Sequence, residues 1–246
     1  MQVAPAGRRK KFLVLGGIAA FVLGLFVFFS PWLGMAKHEF NFLPYYGPKE
    51  VVAYEREGQM VIDTIYHELP SFSLTDQYGR PYTERDAKGK IIVADFFFTR
   101  CGTICPKMSV QMQQMQLKLN DSAFKDVVFL SHTVDPEHDT PEVLLDYARK
   151  LEADSARWLF LTGGKDAIYL LGSEGYHVAA REEVMEPGGF LHSELFVLVD
   201  KNRRIRGYYD GTTMKGMMDC ANDVKMLLKE EKVKRAEAER EARRNR

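Results

Sequence analysis

Two kinds of hydrophobic pattern run along this chain. The first is unbroken: residues 12–29 carry no charged or strongly polar side chain, and the uncharged run continues to Ala36. At ~1.5 Å rise per residue such a run crosses a ~30 Å hydrocarbon core. The pattern therefore predicts a transmembrane anchor over residues 12–33. Arg8, Arg9, Lys10 and Lys11 precede it, which places a short cytoplasmic end at residues 1–11. Trp32 stands where an interfacial aromatic would. A cleaved signal peptide is the alternative, but the run is longer than a signal core, and Gly34-Met35-Ala36 is a poor small-x-small site. Either way the rest of the chain lies outside the cytoplasm: the periplasm for a bacterial chain, the intermembrane space for a mitochondrial one. The bacterial inner membrane facing the periplasm is the expected location.

The second pattern alternates strand-length apolar runs with stretches of helical period. Residues 60–66 alternate as a strand does. Residues 71–74 make another, and a turn at 77–81 leads to Tyr82-Thr83 as a hairpin. Residues 91–98, apolar but for Asp95, and residues 127–134 read as buried strands. Residues 158–161 form a short one, and 195–199 pairs back with 204–209 across Asp200-Lys201-Asn202. A helix follows Pro106, and a second opens on Thr140 as N-cap and Pro141 as first residue. A third covers 165–171, and a last one starts at Thr212 or Thr213. Strand–helix–strand first, then a hairpin and a helix, predicts an α/β domain over 60–230, with a thioredoxin-like central mixed sheet flanked by helices. Residues 34–59 read as a linker containing Phe40, Phe42, Tyr45 and Tyr46. Residues 231–246 read as a charged tail, a solvated helix or disordered, with no apolar stripe for a coiled coil.

Composition narrows the field. Lys and Arg number 34 and Asp and Glu 34 in 246 residues, so there is no nucleic-acid footprint. Three cysteines are too few for a disulfide-built scaffold. No internal repeat has a fixed period.

The chemistry concentrates where the central strand ends, at Thr99-Arg100-Cys101-Gly102-Thr103-Ile104-Cys105-Pro106. If Cys101 lies just before the helix and Cys105 in its first turn, both sulfurs face one spot. The helix N-terminus favours thiolate over thiol. Two thiolates there suit either a soft metal or reversible disulfide chemistry. Met108, Met112, Met115 and Leu119 share one helical face. Thioethers beside thiolates suggest copper, yet flexible side chains between helix and sheet explain the stripe better. Of the six histidines, His38 and His67 precede the central strand, His132 sits within a strand, and His138 and His177 flank elements. His192 lies in a loop just before 195–199. In a thioredoxin order that loop passes beside the cysteine turn, where a histidine completes a site of two sulfurs and one nitrogen; an ordinary surface-loop histidine is the alternative. Such a set leaves zinc one ligand short and an iron–sulfur cluster short of cysteines, whereas copper suits it. Cys220, inside the last helix, reads as a buried inert thiol.

Taken together, Cys101-Gly102-Thr103-Ile104-Cys105-Pro106, Val134-Asp135-Pro136-Glu137 with Asp139-Thr140-Pro141, residues 158–163, and His192-Ser193 in that order resemble the SCO/SenC family over roughly residues 60–230. The resemblance implies a thioredoxin-like fold outside the cytoplasm and copper, as copper(I) or copper(II), held by Cys101, Cys105 and His192. It implies delivery of copper to the dinuclear site of cytochrome c oxidase, or reduction of that site's cysteines. The partners it implies are the oxidase's copper-site subunit, other copper carriers or thiol reductants, and the membrane. His138 stands where many relatives carry Arg or Lys.

Two classes of function follow. A metallochaperone has no turnover of its own and needs the histidine. A thiol–disulfide oxidoreductase cycles Cys101 and Cys105 as a redox pair and does not need it. The C-x-x-x-C spacing, one residue longer than that of redox thioredoxins, leaves room for a metal. A peroxidase on the same fold is a weaker third reading.

Overall fold

The computed structural model describes the backbone of residues 16–25, 42–56, 58–182 and 190–244, and the side chains within these spans except at 56, 181–182 and 190–192. The chain divides into two compact units, Met1–Asn41 and Phe42–Arg246. In the first, residues 16–25 form helix α1, with Ile18, Phe21 and Leu23 exposed. Among the described residues no helix is long and apolar enough to cross a membrane. The remainder of the expected anchor, the basic end and His38 lie outside the described residues.

The second unit begins with a hairpin. Strand β1 (Lys49–Arg56) pairs antiparallel with β2 (Gln59–Tyr66), Val51 opposite Thr64 and Ala53 opposite Ile62. The sequence reading put residues 49–56 in a linker. Charges at Lys49, Glu50, Glu55 and Arg56 blur the period of two, and the strand is defined by its partner rather than by its own pattern.

A seven-stranded mixed sheet follows, in the order β11-β10-β5-β6-β7-β3-β4. Its strands are β3 (Ser73–Asp76), β4 (Pro81–Thr83), β5 (Ile91–Phe97), β6 (Val127–Thr133), β7 (Trp158–Thr162), β10 (Leu195–Val199) and β11 (Ile205–Asp210). β5, β6 and β7 are parallel, and every residue of β5 and β6 is buried. Central parallel strands are covered on both faces, which is why they read as continuous apolar runs. Their crossovers are α3 (Cys105–Lys118) and α4 (Pro141–Lys150). The short α2 (Glu84–Ala87) is closed by a capping box between Thr83 and Asp86. α5 (Lys165–Leu170) runs into a π-turn, Leu171–Gly175. The strand–helix–strand order and the later hairpin and helix are those expected of a thioredoxin-like fold.

Met108, Met112, Met115 and Leu119 are each 0% exposed, so the methionine stripe is core. The last helix, α6 (Met214–Arg244), continues well past residue 230. Residues of high helix propensity and pairs such as Arg235–Glu239 carry it onward as a solvated helix.

One ionic cluster is fully internal. Arg206 of β11 is bonded to Glu230 of α6 at 2.8 Å and to Asp200 at 3.1 Å. It also donates to the carbonyls of Leu43 and Pro44 at 2.5 and 3.0 Å. The Leu43 N–H donates back to Glu230. Residues 43 and 44, within the expected linker, are therefore bound to the domain.

Candidate metal centre

β5 carries the chain to Phe97, and Phe98 and Thr99 lead into the turn before α3. Pro106 occupies the first turn of that helix, where a missing N–H costs nothing. The residue before the helix, Ile104, supplies no side-chain cap. Instead the sulfur of Cys101 accepts the N–H of Cys105 at 3.5 Å, a thiol in the place usually taken by a Ser, Thr or Asp oxygen. The turn thus folds so that the first cysteine's sulfur lies over the helix start, and the second cysteine is that start.

The two sulfurs differ in environment. Cys101 is 9% exposed and Cys105 1%. Burial by itself raises Cys101, but hydrogen bonds from the Cys105 side chain and from the backbone of Thr103 and Cys105 outweigh it and bring the thiol down to about 6. Burial pushes Cys105 well up, and its hydrogen bond to Cys101 pushes it further the same way. The outer sulfur is therefore the thiolate at neutral pH. Alkylation of the reduced chain by iodoacetamide should rise with pH about a midpoint near that value, with label on Cys101 and little on Cys105. Equal labelling of both, or a midpoint near 9, would contradict the asymmetry.

Asp95 lies beneath the pair on β5, 2% exposed. Burial raises it to about 7, against the lowering effect of Ser131, and its Oδ1 is buried without a hydrogen-bond partner. Its charge also contributes to the rise at Cys105.

A second loop holds the turn. Asp139 is 0% exposed. Its Oδ2 accepts from the Thr99 N–H at 3.1 Å and from Thr133 Oγ1 at 2.5 Å. Its Oδ1 accepts from Thr99 Oγ1 and contacts His138 Nδ1 at 2.9 Å. Arg100 donates to Asp135 at 2.5 Å. Ligand atoms of Asp135, His138 and Asp139 lie within 4.8 Å of one another. The hydrogen bonds to Asp139 and Asp135 instead make the group a clamp on Thr99 and Arg100, just ahead of Cys101. The sequence reading gave Asp139 only as part of the Asp139-Thr140-Pro141 motif; Thr99 and Asp139, 40 residues apart, showed no local sign of contact.

His192 is not in a plain loop. Its backbone ends strand β9 (Phe190–His192), which pairs with β8 (Ala180–Glu182), His192 opposite Ala180. After Ser193 and Glu194, β10 begins at Leu195, antiparallel to β5 with Val197 opposite Ala94. Continuing that register puts Leu195 opposite Phe96 and brings the backbone just after His192 level with the end of β5. Its side chain lies outside the described residues. The topology thus delivers the His192 backbone to the same end of the sheet as the cysteine turn.

Two other candidates, His132 and Cys220, are buried core side chains. His132 is 0% exposed, with Nε2 3.2 Å from the Tyr176 hydroxyl, and burial lowers it to about 3. Cys220 is 0% exposed within α6, where burial raises it, as expected of an inert thiol.

Two sulfurs hydrogen-bonded to each other at a helix start can bind a soft cation or form a disulfide. A family model described as SCO1/SenC matches residues 64–229. The SCO1 protein homolog of Bacillus subtilis is 31% identical over 169 residues, covering 68% of this chain and 86% of that protein. The structure of BsSco, a member of the Sco family of cytochrome c oxidase assembly proteins in which a disulfide switch was identified, matches with a TM-score of 0.59 at 30% identity, covering 66% of this chain and 94% of that one. Copper-bound ScoI of Bradyrhizobium japonicum matches with a TM-score of 0.54 at 25% identity, covering 65% and 99%.

Proposed function

The chain belongs to the SCO1/SenC family, and from that premise we propose that it is a membrane-anchored copper carrier that loads the dinuclear copper site of cytochrome c oxidase. Copper(I) is the cargo, held by Cys101, Cys105 and His192. The observation that carries the reading is the convergence of the Cys101 and Cys105 sulfurs at the start of α3, with the His192 backbone led to the same sheet end. Two soft sulfurs and an imidazole suit copper(I). A three-coordinate ion leaves one side open, so a client's ligand can attack and the ion passes by exchange. The low Cys101 value favours loading without acid-side competition at neutral pH. The apolar run at 12–33 supplies the anchor, with the amino end in the cytoplasm and the domain in the bacterial periplasm.

The asymmetry of the two thiols favours a second reading. An outer thiolate and an inner, less acidic thiol are the arrangement of a disulfide reductase. In that role Cys101 attacks a partner's disulfide, and Cys105 then displaces the partner to close the Cys101–Cys105 bond. The partner would be the client's oxidised copper-site cysteines.

His192→Ala separates the two. It removes one copper ligand, so copper(I) affinity should fall ~10–100-fold, by analogy with the cost of perturbing metal sites. The dithiol is untouched, so the reduction potential of the pair should stay where it is. Oxidase activity in cells at limiting copper then decides: loss, restored by added copper, supports the carrier, and normal assembly supports the reductase.

A further inference from the structure

Outside the cysteine turn, two imidazoles face each other. His67 follows β2, and His177 follows the π-turn. Their ring centroids are 4.3 Å apart and their planes 49° from parallel. Each ring gives one N–H to a backbone carbonyl: His67 Nε2 to Gly175 at 2.8 Å, and His177 Nδ1 to Ser173 at 3.2 Å. A carbonyl only accepts, so both tautomers are fixed. The lone pair of neutral His67 is on Nδ1, and that of His177 is on Nε2. His177 Nε2 is buried and has no hydrogen-bond partner.

Two further features mark the place. Gly47, at φ +92, would bring a Cβ to 3.2 Å from His67 Cγ and 3.3 Å from His177 Cδ2. The nearest atom is His67 Cβ at 3.0 Å, so both imidazoles pack closely around a backbone position that only glycine fits. His177 itself is held at φ 53, a left-handed conformation few non-glycine residues adopt.

We propose that His67 and His177 form a second cation site, for a divalent ion such as copper(II), separate from the cysteine site. Imidazoles that bind a metal donate the other N–H to a carbonyl or carboxylate, as both do here. With metal–nitrogen bonds of ~2.0 Å, two imidazoles at right angles about one ion have ring centres roughly 4.5 Å apart. The observed 4.3 Å matches that pair. A linear copper(I) would hold the centres at roughly 6 Å, too far for this geometry. Tetragonal nitrogen and oxygen coordination is the preference of copper(II); water completes the set.

The test uses the full chain in detergent, with Cys101→Ser, Cys105→Ser and His192→Ala removing the first site. Copper(II) is titrated and followed by electron paramagnetic resonance. One copper(II) per chain, coupled to two imidazole nitrogens, is the expected result. Adding His67→Gln and His177→Asn should weaken uptake ~10–100-fold; asparagine tolerates the positive φ. The same two histidine replacements in the otherwise unaltered chain should leave copper(I) binding at the cysteines intact, which checks the fold. A parent spectrum with one imidazole nitrogen or none overturns the proposal whatever the replaced chains do. So does undiminished copper(II) binding after both histidines are replaced.

Discussion

Serine at either position 101 or 105 should reduce tightly bound copper(I) from about one per chain to none, while Cys220→Ser should leave it unchanged. The change removes one sulfur and little else. A serine hydroxyl is a hard donor that stays protonated at neutral pH, so it does not replace a thiolate toward copper(I). Cys101 also caps α3 through its sulfur, and serine can take over that role, so the helix start should survive. The measurement is copper per chain after the reduced protein is equilibrated with a competing copper(I) chelator. Cys220 is buried in α6, and its thiol is held protonated by burial. A Cys220→Ser chain that lost its copper as fully as the other two would move the site to a different part of the molecule.

Glu230→Ala should destabilise the domain by about 3–5 kcal/mol, the usual cost of stripping one partner from a buried pair. The side chains of Arg206 and Glu230 are 1% and 2% exposed. Removing the carboxylate leaves a guanidinium in the interior with only Asp200 as a charged partner. It also strands the Leu43 N–H, which now donates to Glu230. Replacing Arg206 by methionine together with Glu230 by leucine should recover only part of the loss, because it removes the unpaired guanidinium but leaves the buried Asp200 carboxylate without its partner. Urea unfolding of the domain, followed by tryptophan fluorescence from Trp158, reads both. A Glu230→Ala domain within about 1 kcal/mol of the parent would mean that water reaches the cluster and screens it.

The contrast between these two sites explains what could be read from the sequence. The cysteine turn was legible because its chemistry is local: two sulfurs four residues apart, a preceding apolar strand, and a proline that starts a helix. β5 and β6 were legible because strands buried on both faces have no polar residue to break the run, Asp95 apart. The rest depends on pairing across the chain. β1 is recognisable only against β2, and the polar β8 only against β9. Arg206 lies in a strand and Glu230 at the edge of a highly charged segment, so both look like solvated charges until the fold brings them together. Likewise His67 and His177, each unremarkable alone, meet only because the π-turn lies beside the end of β2. The placement of His192 was only partly legible. The register of β10 on β5 brings its backbone to the end of the sheet where the cysteine turn lies, but it ends a strand rather than sitting in a flexible loop.

The thiol cap on α3 links the state of the site to the backbone. The Cys101 sulfur that receives the Cys105 N–H is the same atom that a cation or a second sulfur would bond. A metal-bound or oxidised sulfur keeps lone pairs and can go on accepting that N–H, but it would carry less negative charge and accept it more weakly than the free thiolate does. The strength of that one hydrogen bond at the first turn of α3 would then differ between the two states of the proposed site, without any large rearrangement of the sheet.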